Sequence, residues 1–214
     1  SAIWAKTPTG TAQTIPSLCS RVSFNIQAGY TVTNNVALVA RNFTIATGAT
    51  FIQNATHLTL HGTYLNTGTH TITTGNVNFN GSVSQTIGGT TITEFNNINC
   101  NNAAGVSVSG TGARVKGVLQ VNTGVFSTNG KLTLSSYSTT TGSIGPLSTG
   151  SVTGNVTIER YHNAVAAGWL NISSPAQGKT VSDWNDDLVT TGFAGSDFPS
   201  YPFNNIQRYN ESAA

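Results

Sequence analysis

A glycine recurs along most of the chain at intervals of 17 to 20 residues, and this spacing limits the folds open to it. Each glycine precedes a short segment in which apolar and polar residues alternate, which is the period of a β-strand. A second alternating segment follows about ten residues later, at 58–60, 77–79, 98–100 and 132–134. The glycine series consists of Gly29, Gly48, Gly68, Gly88, Gly105, Gly124 and Gly142.

A repeat of this length cannot bury an apolar face by itself, but stacked repeats can, with equivalent strands about 4.8 Å apart. The pattern predicts an all-β chain folded as a right-handed parallel β-helix (a β-solenoid) of about seven coils. The alternative is a Greek-key sandwich, which does not predict nearly constant glycine spacing. We expect one inward ladder from four residues spaced 20 apart: Val32, Ile52, Ile72 and Ile92.

Composition excludes several other classes of protein. Only 7% of the 214 residues are charged and 37% are hydrophobic, which argues against coiled coils, long surface helices and disorder. No apolar run approaches the roughly 20 residues that span a bilayer, so we predict no membrane insertion. The net charge of +2 is spread thinly, so we predict no nucleic-acid partner.

The repeat pattern ends near residue 158, which predicts three regions. Residues 1–20 form an N-terminal cap, 21–158 the parallel β-helix, and 159–214 a C-terminal cap or the start of a second β module, where acidic and aromatic residues concentrate. The absence of Met is expected of a processed protein or a fragment. Whether Cys19 and Cys100 form a disulfide stays open.

Several stretches also resemble a known group of proteins. Residues 95–106 (Phe-Asn-Asn-Ile-Asn-Cys-Asn-Asn-Ala-Ala-Gly-Val), 116–134, 154–161 and 168–175 resemble large repetitive surface proteins of Bacteroidetes that the type IX secretion system exports. The resemblance extends over about residues 22–214. It implies a β-helical passenger segment of an adhesin-like protein that is secreted or held at the cell surface. The family's C-terminal sorting domain is absent, which implies that the chain is part of a longer protein.

Parallel β-helices also include polysaccharide lyases and hydrolases, so catalysis has to be considered. Glycoside hydrolysis generally uses two carboxylates, and residues 21–158 contain one, Glu94. We expect Glu94 to lie solvated in a turn after 91–93. The sequence therefore predicts no catalytic residues and no enzyme.

Two groups of residues contain side chains of the types that bind metals. His57, His61 and His70 are close in sequence, but strand geometry separates the first two by about 13 Å, so we expect solvent-facing side chains. Residues 183–187 resemble the opening of a calcium loop, but Leu188 and Ala194 replace its glycine and its bidentate glutamate. We predict no metal site and no cofactor, and calcium near 183–187 stays open.

Repeated threonine pairs are a candidate ice-binding surface. Thr-x-Thr begins at Thr31, Thr71 and Thr91, a pattern that resembles the threonine ladders of insect antifreeze proteins. Phe51 and Gln53 are expected to interrupt the ladder. Ice binding is therefore the least favoured alternative.

Aromatic residues of the C-terminal region are the candidate ligand-binding residues. Trp169, Trp184 and Tyr201 stack on sugar rings if they are exposed together, and otherwise pack in a small core. We predict a non-catalytic adhesin or structural spacer, with surface polysaccharide as the candidate partner. The alternative is a carbohydrate-binding or polysaccharide-degrading β-helix protein.

Overall fold

Parallel strands wind around a shared interior as a β-solenoid of about 6 turns, and the described residues contain almost no helix. This confirms the predicted fold class, with slightly fewer coils than the expected seven. The structure, a computed structural model, describes residues 21–54, 56–163, 174, 176–184 and 188–206. The chain divides into two compact units, Ser1–Ala164 and Val165–Ala214, and the solenoid belongs to the first.

The strands are short, and most have three to five residues. In chain order they are β1 (Phe24–Ile26), β2 (Thr31–Asn34), β3 (Leu38–Ala40), β4 (Phe43–Ile45), β5 (Thr50–Gln53), β6 (His57–Leu60), β7 (Tyr64–Asn66), β8 (Thr69–Ile72), β9 (Asn76–Phe79), β10 (Gln85–Gly89), β11 (Thr93–Phe95), β12 (Asn97–Asn101), β13 (Val106–Val108), β14 (Ala113–Val115), β15 (Val118–Ser127), β16 (Leu132–Leu134), β17 (Ser143–Ile144), β18 (Thr149–Thr153) and β19 (Val156–Ile158).

Each coil contributes one strand to each of three faces. Face 1 contains β1, β4, β7, β10, β13, the second half of β15, and β18, whereas face 3 contains β3, β6, β9, β12, the first half of β15, and β17. Face 2 consists of a three-stranded sheet, β2-β5-β8, and a four-stranded sheet, β11-β14-β16-β19. The ten-residue strand β15 therefore joins faces 1 and 3 into one sheet.

Alternation along the strands builds the interior. In β6, β9, β12 and β16, the three residues at 58–60, 77–79, 98–100 and 132–134 are in turn buried, half-buried and buried, as the sequence predicts. Burial of each large apolar side chain contributes about 1.5–3 kcal/mol. The largest fully buried side chains are Tyr64, Phe43, Phe51, Phe79, Phe95, Phe126, Ile45, Leu58, Leu60, Ile87, Ile98 and Leu119.

The predicted 20-residue ladder is wrong in register. In the β2-β5-β8 sheet Val32 faces Phe51, and Phe51 faces His70, so equivalent positions are 19 residues apart. Ile72 is buried as predicted, but Ile52 points outward and is half-buried. Ile92 precedes β11 and is 54% exposed. The 20-residue apolar spacing is thus not the repeat of this sheet.

The glycine series marks more than one kind of corner. Gly29 and Gly48 have left-handed φ values of +81° and +77° in the turns that lead into β2 and β5. Gly105 and Gly124, also at positive φ, lie at a different corner, between faces 3 and 1. The glycines therefore do not all mark one corner, and their spacing is nearly constant because successive coils have nearly the same length.

The buried thiol of Cys100 is free, and its Sγ lies 3.7 Å from the carbonyl oxygen of Thr123. Cys19 lies outside the described residues. Desolvation raises the pKa of the Cys100 thiol. Cys100 is therefore an apolar core residue of face 3.

In the second unit, the described residues form turns, one 3-10 helix at Val181–Trp184 and a parallel bridge between Thr191 and Phe198. Thr190 is buried, and its backbone N–H donates to Asp197 Oδ2 at 2.8 Å. The assignment of 1–20 and 159–214 as caps stays a prediction, and residues 1–20 lie outside the described part of the chain.

Candidate functional site

The corrected register places a threonine array on the outside of β2-β5-β8. Thr31, Thr50 and Thr69 form one outward column because they are partners in successive strand pairs. The neighbouring column is Thr33, Ile52 and Thr71. Phe51 and Gln53, expected to interrupt the array, point inward and are fully buried. The expected interruption is therefore wrong for these three coils.

The array does not continue into the next coil. Thr91 precedes β11, and Thr93 is buried, where its hydroxyl accepts a hydrogen bond from Asn66 Nδ2 at 2.9 Å. The third predicted Thr-x-Thr pair therefore has one member inside the solenoid. The array is two columns wide and three strands high, with columns about 6.6 Å apart and strands about 4.8 Å apart.

Asparagine amides line the outside of face 3. Their side chains donate to one another from coil to coil, in short columns that run across β9, β12 and β15. The pairs are Asn97 with Asn76 at 2.9 Å, Asn99 with Asn78 at 2.8 Å, Asn101 with Asn80 at 3.0 Å, and Asn122 with Asn101 at 2.6 Å. The amide columns therefore connect β12 to the strands on both sides of it.

A charged cluster lies on the outside of the other part of face 2. Glu94 and Arg114 are partners in the β11–β14 pair, with Arg114 Nε 3.9 Å from Glu94 Oε1. Arg114 Nη2 also donates to both carboxylate oxygens of Glu159 at 2.6 Å, just beyond β19. The Tyr137 hydroxyl donates to Glu94. Glu94 is thus in a strand and ion-paired, so the turn expected at this position is wrong.

The contacts within the cluster shift the pKa of two of its members. Although burial alone would lower it, the hydrogen bond and charge of Glu159 raise the pKa of Arg114. The hydrogen bond to Glu94, together with burial, raises the pKa of Tyr137. Glu159 was placed beyond the β-helix by the boundary at 158, so its pairing with Arg114 was missed. Stacking brings together carboxylates that are 65 positions apart in the sequence.

His70 is the predicted surface histidine that the structure places inside. Its ring contacts Phe51, Tyr64 and Phe95, with ring centroids 5.2, 5.9 and 5.9 Å away. Desolvation lowers the pKa of His70 to about 3. His57 is exposed and His61 half-buried, so the solvent-facing prediction is wrong for His70 alone.

Of the three candidate sugar-binding aromatic residues, the structure describes the side chain of Tyr201 alone. Tyr201 is 58% exposed, and Phe198 and Phe203 nearby in sequence are 58% and 54% exposed. Trp184 ends the 3-10 helix, and its side chain lies outside the description, as does all of Trp169. Sugar stacking by these residues stays a prediction.

The calcium-like segment is described only at its start. The Asp183 carboxylate accepts hydrogen bonds from the backbone N–H and the hydroxyl of Thr180, which lower its pKa. Residues 185–187 lie outside the described part. Within the described ranges, no group of three or more His, Cys, Asp or Glu side chains could hold a metal ion. Nor does any helix among those residues have the length and apolar character needed to cross a membrane.

Comparisons of the chain with protein-family models, curated proteins and solved structures give no match.

Proposed function

We propose that this chain is a non-catalytic β-helical segment of a secreted or cell-surface protein, where it acts as an adhesin or a structural spacer. The observation that carries the proposal is the pairing of each coil with the next, on the inside and on the outside. Inside, apolar side chains stack from coil to coil. Outside, the asparagine amides of face 3 repeat the same coil-to-coil bonding.

This construction suits a part that must keep its shape and present a neutral surface. Parallel strands pair along faces 1 and 3 through successive coils. Outward positions carry hydroxyl and amide groups that offer both donors and acceptors to a polysaccharide. The resemblance to exported Bacteroidetes surface proteins supports the same role and location.

An adhesion assay tests the proposal directly. Beads coated with the chain are exposed to a panel of neutral and acidic polysaccharide surfaces, and retention under flow is compared with beads carrying Asn99→Asp. Because Asn99 lies in the middle of the outer amide columns, a carboxylate there should reduce retention on a bound polysaccharide. Thr157→Asp, outward on face 2, is the control. If the chain is a spacer, we expect neither the unmodified beads nor the Asn99→Asp beads to be retained on any polysaccharide, and we expect the chain to stay folded under load.

Catalysis would contradict the proposal, and the charged cluster shows where to look for it. Glu94 and Glu159 both contact Arg114, and paired carboxylates are what glycoside hydrolysis uses. We expect no release of product from pectin, alginate or similar polysaccharides, with or without calcium. If product is released and the release disappears in both Glu94→Gln and Glu159→Gln, the non-catalytic proposal is rejected and the chain is an enzyme.

A second candidate function, adsorption to ice, is favoured by the threonine array of β2-β5-β8. Five of its six outward side chains are threonines, and β-branched side chains hold few rotamers, so the array is nearly rigid. Inhibition of ice recrystallisation should then be lost in Thr50→Lys. Thr44→Lys, at a half-buried outward position on face 1, is the matched control. Equal activity of the two variants, or none in the unmodified chain, removes this candidate.

A further inference from the structure

Three buried side-chain polar atoms of the described residues have no hydrogen-bond partner. One is Ser135 Oγ, and the other two, Gln53 Oε1 and His70 Nε2, belong to the paired strands β5 and β8. Both side chains point inward from the β5–β8 pair. His70 faces Phe51, two residues before Gln53, so Gln53 and His70 are diagonal neighbours on the same inner surface. An unpaired buried polar atom is destabilising, so two of them on paired strands call for a physical explanation.

The hydrogen-bond partners of His70 determine which of its ring nitrogens carries the proton. The Tyr64 hydroxyl lies 2.8 Å from His70 Nδ1. Asn66 donates to the Thr93 hydroxyl oxygen, so the Thr93 hydrogen is left to donate to the Tyr64 oxygen. In agreement with this direction, the hydrogen bond from Thr93 lowers the pKa of Tyr64, although burial has the larger effect and raises it. The Tyr64 hydrogen is then directed to Nδ1. Because desolvation lowers the pKa of His70, the ring is neutral, and with Nδ1 accepting from Tyr64 its single N–H is on Nε2.

The orientation of the Gln53 amide is fixed in the same way. Its Nε2 donates to the carbonyl oxygens of Thr56 at 3.0 Å and Asn76 at 3.2 Å. Both amide hydrogens are therefore used, and Oε1 is left as an acceptor. One unpaired donor and one unpaired acceptor thus lie on adjoining coils, with no direct hydrogen bond between them.

We propose that a single buried water molecule binds between His70 Nε2–H and Gln53 Oε1, accepting from the first and donating to the second. Two hydrogen bonds are the lower limit for a buried water. The water completes a chain of hydrogen bonds from Asn66 through Thr93, Tyr64 and His70 to Gln53. This chain links three successive coils and holds the 19-residue register of β5 and β8, which apolar spacing alone does not select.

A crystal structure of the whole chain, at a resolution that shows ordered water, tests the site. We expect a density peak within hydrogen-bonding distance of both atoms. A direct contact between Gln53 Oε1 and His70 Nε2, or an empty space between them, would overturn the proposal. Nitrogen-15 NMR of the His70 ring gives a second test, because the proposal requires the proton on Nε2 and a proton on Nδ1 contradicts it.

A variant distinguishes a bound water from general hydration. In the unmodified chain, the His70 Hε2 signal should show a nuclear Overhauser effect to a long-lived water. Gln53→Leu removes the acceptor, so that effect should be lost, whereas Ile52→Val on the outward side of the same strand should keep it. If Gln53→Leu does not fold, the measurement on the unmodified chain decides, since absence of the effect there rejects the site.

Discussion

Phe51 and His70 are direct partners in the β5–β8 pair, and their ring centroids lie 5.2 Å apart inside the solenoid. This pairing sets the register of the three-stranded sheet on face 2. It turns Ile52 outward, buries Gln53, and aligns the outer threonines. Most of the differences between the expected and the observed surface follow from this one relationship.

The register predicts a sharp difference between neighbouring residues of β8. Ile72→Ala should lower the free energy of unfolding by about 2–5 kcal/mol, because it removes buried apolar surface and leaves a cavity. Thr71→Ala, at an exposed outward position of β8, and Thr73→Ala, exposed just after β8 with one long hydroxyl bond of 3.5 Å to the Gln53 carbonyl, should change it by less than about 0.5 kcal/mol. Urea unfolding of the three variants measures this, and equal losses would contradict the register.

Burial of neutral His70 predicts a loss of stability in acid. Its pKa is about 3 in the folded chain and about 6.5 when unfolded, so the unfolded state binds more protons between these values. The contribution is complete above pH 6.5 and is lost as the pH falls toward 3, at about 1.4 kcal/mol per pH unit.

Urea unfolding between pH 7 and pH 4 measures this slope, with Tyr64 as the titratable group in contact with the ring. His70→Phe should flatten the slope, although its stability at pH 7 falls through loss of the hydrogen bond to Tyr64. His57→Phe, at an exposed position, should leave the slope unchanged. A slope that persists in His70→Phe would assign the acid sensitivity to other groups.

Two glycines with the same backbone conformation should respond differently to alanine. Gly29 and Gly124 have φ values of +81° and +77°, so alanine is strained at both by about 1–2 kcal/mol. At Gly29 an added Cβ has nothing within 4 Å, whereas at Gly124 it would collide with the backbone carbonyl of Asn102 in the coil below. Gly124→Ala should therefore lower the melting temperature clearly more than Gly29→Ala. Equal shifts would mean that the corners are not stacked as described.

The interaction of Arg114 with Glu159 should contribute little stability, although its geometry is good. The side chains are 31% and 36% exposed, and pairs of this kind are worth about 0–1 kcal/mol. Glu159→Gln should thus cost about 1 kcal/mol or less, with the difference shrinking in high salt. Glu94→Gln, which breaks the longer 3.9 Å contact and the bond from Tyr137, is the comparison. If Glu159→Gln lowers the free energy of unfolding by several kcal/mol, the ion pair is a main stabilising contact of the last coil, contrary to this prediction.

Period-two alternation was enough to predict the class of fold and the inward residues of face 3, because Leu58, Val77 and Ile98 are apolar in every coil. The register of face 2 was not predictable in the same way. Its inward positions include Asn34, Gln53 and His70, which a hydrophobic pattern assigns to the surface. Hydrogen-bond partners that meet these side chains inside the solenoid, some on the same coil and some on the next, make their burial possible.

The charged cluster and the threonine array depend on stacking as well. Glu159 meets Arg114 because the last coil stacks above β14 and β16, and no short-range pattern shows this. Thr50 joins Thr31 and Thr69 only in the 19-residue register. Both surfaces would have followed from the sequence once the offset between strands was known.

Disulfide trapping between β2 and β5 tests the stacked register most directly. In a Cys19→Ser, Cys100→Ala background, Thr33→Cys with Ile52→Cys places two thiols at facing outward positions, about 4.8 Å apart between backbones and within the range of a disulfide. Thr33→Cys with Gln53→Cys is the control, because Gln53 faces Asn34 and points inward. The 19-residue register of β2 and β5 predicts rapid, nearly complete oxidation of the first pair and little of the second. Preferential oxidation of the second pair would contradict the stacked register on which the proposed scaffold rests.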